Sequence, residues 1–188
     1  MLTKSEILKQ MDAGRIHIKG FKPEHLGANS YDVTLGDTFS VYKRSGYLDP
    51  TKANPSDEWR LNEGGMSFGA QPGELYLAKT NESTVSRYFV PVLYGRSSLA
   101  RLGINIHQTA GFGDLGWGYV QNEKGIWECT FPTWTLEITV VRPTLIYPGM
   151  KIGQVAFHKP IGDIEHLYEG KYNYQQGPQS SLSHKDFQ

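Results

Sequence analysis

Apolar residues in this chain recur mainly at every second position, in short runs separated by turns. Tyr31-Asp32-Val33-Thr34-Leu35 alternates cleanly, and Phe39-Ser40-Val41-Tyr42 does so more weakly. Such alternation puts one set of side chains on the buried face of a strand. Further strands are predicted over Glu74 to Ala78, Phe89 to Tyr94, Ile104 to His107, Trp134 to Val141, Thr144 to Tyr147 and Lys151 to His158. Helical signals occur twice. Thr3-Lys4-Ser5-Glu6 has the form of a capping box, with Thr3 as cap and Glu6 reaching back. Ile7, Leu8 and Met11 then share one face, and Gly14 suits a C-terminal stop. Ser97 to Leu102, closed by Gly103, predicts a one-turn helix. Short strands at this density, with Pro and Gly between them, predict a mainly β barrel or sandwich.

Two stretches read as long loops: Lys43 to Gly65, polar and mixed in charge, and Gly118 to Pro132. From Tyr168 onward the chain is polar, rich in Gln, Gly and Ser, and without apolar periodicity. That composition predicts an arm that stays mobile until it meets a ligand. The expected organisation is one domain over 1–167 followed by the arm, 168–188.

Composition removes several classes of function. Nineteen basic and nineteen acidic residues balance, so no global field points to nucleic acid. The one cysteine, Cys129, excludes an intrachain disulfide framework and a Cys-rich zinc site, and fits a reducing cytoplasm. No apolar run approaches the ~20 residues of a membrane span. The N-terminal residues lack the apolar core of a signal peptide. Zinc-deaminase and P-loop motifs are both missing from the sequence, as is any Cys/His cluster with metal spacing.

The remaining chemistry is concentrated in two places. In Arg96-Ser97-Ser98-Leu99-Ala100-Arg101, one helical turn sets Ser97 and Arg101 four apart on one face, and two guanidinium groups flank two hydroxyls. In Thr135-Leu136-Glu137-Ile138, a carboxylate interrupts an apolar run. A solvated outer strand face would account for Glu137 by itself. A carboxylate drawn inward needs partners or a shifted protonation. Asp114-Leu115-Gly116 is a common turn sequence, and Trp117 alone would read as core.

These blocks, with Thr109-Ala110-Gly111, Asp114-Leu115-Gly116-Trp117, Pro148 to Gln154, Gly170-Lys171-Tyr172 and the N-terminal Asn29 to Gly36, occur in an order that resembles the deoxycytidine triphosphate (dCTP) deaminases of the trimeric dUTPase superfamily. The resemblance spans nearly the whole chain. It implies a distorted β-barrel or β-clip fold, a homotrimer with sites between subunits, and zinc-independent conversion of dCTP to dUTP and ammonia. It implies that Glu137 activates water for attack on cytosine C4 and carries the proton to ammonia. Ser97, Arg101 and the Ala110 backbone would organise that water. Arg96, Ser97 and Ser98 would hold the triphosphate, which brings Mg²⁺ with it, and Asp114 would face the deoxyribose 3′-hydroxyl. Trp117 would exclude a 2′-hydroxyl, and Tyr168, Lys171 and Gln175 of the arm would close over phosphate. In this pattern the segment at about 118–132 is an insertion of about a dozen residues by ordinary loop lengths. Feedback by dTTP, through a rearrangement of the segment that holds His107, is a further implication, from which Gln108 departs because the family pattern has a β-branched apolar residue there. A bifunctional enzyme that continues to dUMP, a plain dUTPase, and a silent nucleotide-binding protein are the alternatives.

Overall fold

The computed structural model describes residues 1–44, 46–61, 66–107 and 110–188. It opens with α1 (Lys4–Asp12) and β1 (Ile16–Lys19), then a 3-10 turn at Pro23–His25. The long β2 (Tyr31–Tyr42) follows, with β3 (Ser56–Arg60), β4 (Phe68–Ala70), β5 (Tyr76–Thr80), β6 (Ser83–Ser86) and β7 (Val90–Gly95) after it. A single helical turn, α2 (Ser97–Ala100), leads to β8 (Ile104–Asn105). Last come β9 (Tyr119–Gln121), β10 (Trp127–Cys129), β11 (Thr135–Val140), β12 (Thr144–Ile146), β13 (Lys151–His158) and a 3-10 turn at Ser183–Phe187.

The fold is mainly β, built on a seven-stranded, barrel-like sheet in the order β7-β13-β2-β5-β11-β8, with β3 paired to β2. All its pairs are antiparallel. β2 reaches across the sheet because it changes partners along its length: Tyr31 to Thr34 pair with β13, and its later half lies between β3 and β5. Alternation on β2 and β11 is realised as burial. Tyr31, Val33, Leu35, Phe39, Leu136 and Ile138 are fully enclosed, with Leu93, Ile152 and Phe157 from neighbouring strands. Rings of Phe39, Trp59, Phe68 and Tyr76 pack edge-to-face and stacked at one end of this core.

Several expectations are corrected. Thr3 makes no capping bond to the helix backbone; its hydroxyl meets Ser5, and Glu6 accepts from Gln10 Nε2 at 2.6 Å. Leu8 is exposed, so the buried face of α1 is Ile7 with Gln10. Both long loops hold strands. Lys43 to Gly65 contains β3, and Gly118 to Pro132 is a β-hairpin, with Trp127 opposite Gln121 and Cys129 opposite Tyr119. Glu74 and Leu75 lie before β5, and β8 ends at Asn105 rather than His107.

Leu136 sits at the centre of the sheet, paired to Ala78 and wholly buried. Leu136→Ala is expected to cost about 2–5 kcal/mol, the usual cost of a cavity at a close-packed site. Urea unfolding checks this; a loss under half a kcal/mol would place Leu136 outside the core.

Candidate active site

The site begins with the other face of β11. Its alternation turns Leu136 and Ile138 into the core, and Thr135, Glu137 and Thr139 the opposite way, where each is half-buried. The backbone of Glu137 is held on both sides: it stands opposite Leu77 of β5, and its N–H donates to the Ile106 carbonyl at 2.8 Å. The side chain is therefore fixed at the wall of a pocket of about 530 Å³, which Ala110, Asp114, Trp117 and Thr135 also line.

The segment that brings Ala110 and Asp114 there is strapped to β7. Leu93 N–H donates to Gly111 O and Gly113 N–H to Pro91 O, and a tight turn follows in which Trp117 N–H donates to Asp114 O at 3.0 Å. A Cβ at Gly113 would stand 3.1 Å from Trp134 Cη2 and 3.2 Å from Trp117 Cε3, so a glycine lets the strap lie flat against both indoles. Those rings pack at 4.7 Å between centroids, tilted by 55°. Trp134 is anchored by its indole N–H on Thr84 Oγ1 at 2.7 Å. The result is an aromatic wall beside two carboxylates, an arrangement suited to a flat heterocycle with polar edges.

The C-terminal arm forms the outer wall. Tyr168, Tyr172 and Gln175 line the pocket, as do Gln179 and Ser181. Tyr168 N–H donates to Leu115 O at 2.8 Å, and burial raises the pKa of its phenol above the ordinary tyrosine value. Two arm residues have other partners than phosphate would require. Lys171 is ion-paired with Asp186, outside the pocket, and the Gln175 amide donates to Thr133 O at 2.8 Å. The arm's polar composition concealed how well it is seated: Asn173 and Pro178 are buried.

The structure does not bring the Arg96 to Arg101 block to Glu137 within one chain. Arg96, Ser97, Ser98 and Arg101 all lie outside the pocket lining. Ser97, Ser98 and Arg101 are exposed on and just after α2, and Arg96, at the N-cap of that turn, makes no side-chain capping bond. Arg96 Nε pairs with Asp32 Oδ1 at 3.3 Å, while Lys151 Nζ holds the other oxygen at 3.0 Å. The i, i+4 spacing of Ser97 and Arg101 thus presents them outward. Gln108 and Thr109 lie outside the described residues; His107, just before them, stands 3.6 Å from where a Cβ of Gly111 would be.

Sequence reasoning missed Tyr42, Gln179 and Ser181 as pocket residues. It also missed Glu82, the most enclosed glutamate among the described residues, which accepts from Thr34 N–H at 2.7 Å and Thr34 Oγ1 at 2.8 Å with His25 at 4.0 Å. No periodicity announces these; Tyr42 and the arm meet only through the fold.

A family model described as dCTP deaminase-like matches residues 1–160. A protein of Clostridium beijerinckii named "dCTP deaminase, dUMP-forming" is 39% identical over 189 residues, covering all of this chain and 99% of that protein. One of the same name from Leptospira biflexa serovar Patoc is 40% identical over 188 residues, covering all of this chain and 98% of the other. The crystal structure of 2′-deoxycytidine 5′-triphosphate deaminase from Agrobacterium tumefaciens superposes with a TM-score of 0.55 at 16% identity, over 85% of this chain and about half (48%) of that one, a likeness of fold. A barrel-like β fold with an aromatic, carboxylate-bearing pocket defines the general class. The chain belongs to the dCTP deaminase-like family.

Proposed function

We propose that this protein deaminates dCTP and carries the product on to dUMP and pyrophosphate. The observation that carries the reading is that Glu137 and Asp114 line the same pocket as the packed Trp117–Trp134 pair. The relatives named dUMP-forming support the two-step version over release of dUTP.

In the first step Glu137 takes a proton from water as the oxygen adds to C4 of cytosine. It then delivers that proton to the exocyclic nitrogen, the C4–N bond breaks and ammonia leaves, while the second proton of the water passes to N3 as the C4 carbonyl forms. A carboxylate that acts as base and then acid is standard general acid–base chemistry. The Ala110 backbone would steady the attacking water. In the second step a water set by Asp114 attacks the α-phosphorus, and pyrophosphate leaves with its bridging oxygen. Mg²⁺ enters with the triphosphate, held through phosphate oxygens and water. Among the described residues no group of three or more His, Cys, Asp or Glu is placed to hold a metal ion.

Ser97, Arg101, Arg96 and Ser98 join the site from a neighbouring subunit of a homotrimer in this proposal. The exposure of Ser97, Ser98 and Arg101 on and just after α2, with all four residues outside the chain's own pocket, supports it. No helix among the described residues is long and apolar enough to cross a membrane, and a cytoplasmic setting is part of the proposal.

The test is incubation of the purified protein with dCTP and Mg²⁺, with products resolved by ion-pair chromatography. Ammonia, dUMP and pyrophosphate are expected in equal amounts. Accumulated dUTP would remove the second step, and no turnover would remove the reading. Trp117, only 5% exposed and packed on Trp134, leaves a rigid wall for the sugar. CTP is therefore expected to fall at least about tenfold below dCTP in kcat/KM, the low end of what a steric mismatch of this size yields. Equal values would refute that role.

A further inference from the structure

We propose that the hairpin of β9 and β10 is the seat of the C-terminal arm, and that Asn173 is the positioning residue that latches the arm onto it. The hairpin puts no residue of 119–129 into the pocket, so its connection to the chemistry runs through what it holds. Its two roots are clamped together, Thr130 N–H donating to Gly118 O at 2.8 Å. Both roots then engage Asn173. Gly118 N–H donates to Asn173 Oδ1 at 2.9 Å, and the Thr130 hydroxyl donates to the Asn173 carbonyl at 2.5 Å. Asn173 Nδ2 donates back to the Tyr168 carbonyl at 3.1 Å, closing a loop within the arm.

Asn173 is 5% exposed, while Tyr174 beside it is 68% exposed. A buried amide needs partners at both ends, and the bonds with Gly118 N–H and the Tyr168 carbonyl supply them, while Thr130 holds the backbone carbonyl. Aspartate could keep only the acceptor, and would turn a carboxylate toward the Tyr168 carbonyl. The seat itself is shaped for this contact. Gly118 has φ +85°, and a Cβ there would lie 2.7 Å from Pro132 Cδ and Val85 Cγ1. Phe131, at the hairpin exit, is the one non-glycine described with a positive φ, 50°. Such a conformation persists only where its surroundings enforce it. Here the His17 ring packs on it at 6.2 Å, and the carbonyls of Thr130 and Phe131 both accept from Gln176 Nε2.

From the latch the arm continues alongside the residues that lead into β11, the strand that carries Glu137. Thr133 N–H donates to Gln175 O at 3.1 Å, and Gln179 N–H donates to Thr135 Oγ1 at 3.1 Å. The Trp117 indole donates to Tyr172 O at 3.1 Å. The hairpin thus fixes Tyr172 and Gln175 at the pocket wall, where an arm without a seat would have to find its place at each binding event.

The activity part of the test rests on the deaminase reading; the exchange part does not. The proteins are wild type, Asn173→Ala, Asn173→Asp and, as a control on the same arm, Tyr174→Ala. Amide exchange over residues 168–180 without nucleotide is expected to quicken at least about tenfold in both Asn173 variants, with β11 unchanged, as for a local opening. The KM for dCTP is expected to rise about tenfold while kcat at saturation stays within about twofold, because a fractionally closed arm lowers apparent affinity by that fraction. Tyr174→Ala should match wild type in both. Wild-type exchange in Asn173→Ala would overturn the latch, and wild-type behaviour of Asn173→Asp would overturn its two-ended role. A fall in kcat with KM unchanged would mean a structural lesion and equally overturn it. Should wild type turn over no dCTP, the exchange comparison still decides the latch while the deaminase reading fails separately.

Discussion

Glu137→Gln is expected to lower dCTP turnover at least about a hundredfold, the usual scale for losing general acid–base chemistry, with the protein folded and nucleotide still bound. The amide matches the carboxylate in shape, and the backbone bonds that fix residue 137 to Ile106 and β5 do not involve the side chain. What disappears is basicity at the one position where β11 turns a carboxylate into the pocket. Two measurements check this together: ammonia release under saturating dCTP, and calorimetric titration with a non-hydrolysable dCTP analogue. Turnover above half of wild type would take Glu137 out of the chemistry. Lost binding with lost turnover would assign it to holding the base instead.

The strand that carries Glu137 was legible because its pattern is simple: apolar residues at 136, 138 and 140 demand one buried face, and the sheet supplies it. The same rule found β2, β7 and β13. It failed where polar residues are buried on purpose of hydrogen bonding. β6, Ser83-Thr84-Val85-Ser86, has one apolar residue yet is buried throughout, because Ser86 Oγ donates to Arg15 O at 2.6 Å and Thr84 accepts the Trp134 indole. β3 was hidden for the opposite reason: as an edge strand it is mostly exposed, and only Trp59 joins the aromatic cluster. The seating of the arm was not legible because it is done by amides and carbonyls, which composition does not reveal.

The candidate site divides along a similar line. Alternation tells which face of β11 holds Glu137; it does not tell what lies opposite. Ser97 and Arg101 do share one face of a turn, as their spacing requires, but sequence cannot say which pocket a surface turn serves. In the structure that turn projects outward, with Arg101 exposed and Arg96 tied back to Asp32. Charge held this way, half-exposed and pre-oriented beside a second cation on the same carboxylate, suits an anion presented by another molecule.

A mixing experiment turns that arrangement into a number. Arg101→Ala alone and Glu137→Gln alone should each be nearly inactive. If Arg101 completes a neighbour's site, the two inactive proteins, unfolded together and reassembled in equal amounts, are expected to recover about a quarter of wild-type turnover. In a closed ring with head-to-tail sites, each site draws Glu137 from one subunit and Arg101 from the next, so about one random pairing in four is intact in both. A site built within one chain would recover nothing, because every chain in the mixture carries a lesion. Proteins mixed without unfolding provide the baseline. Recovery that stays at that baseline after confirmed subunit exchange would place Arg101 and Glu137 in the same chain's site, or Arg101 in no site at all, and the exposed turn would then be a surface feature of the barrel.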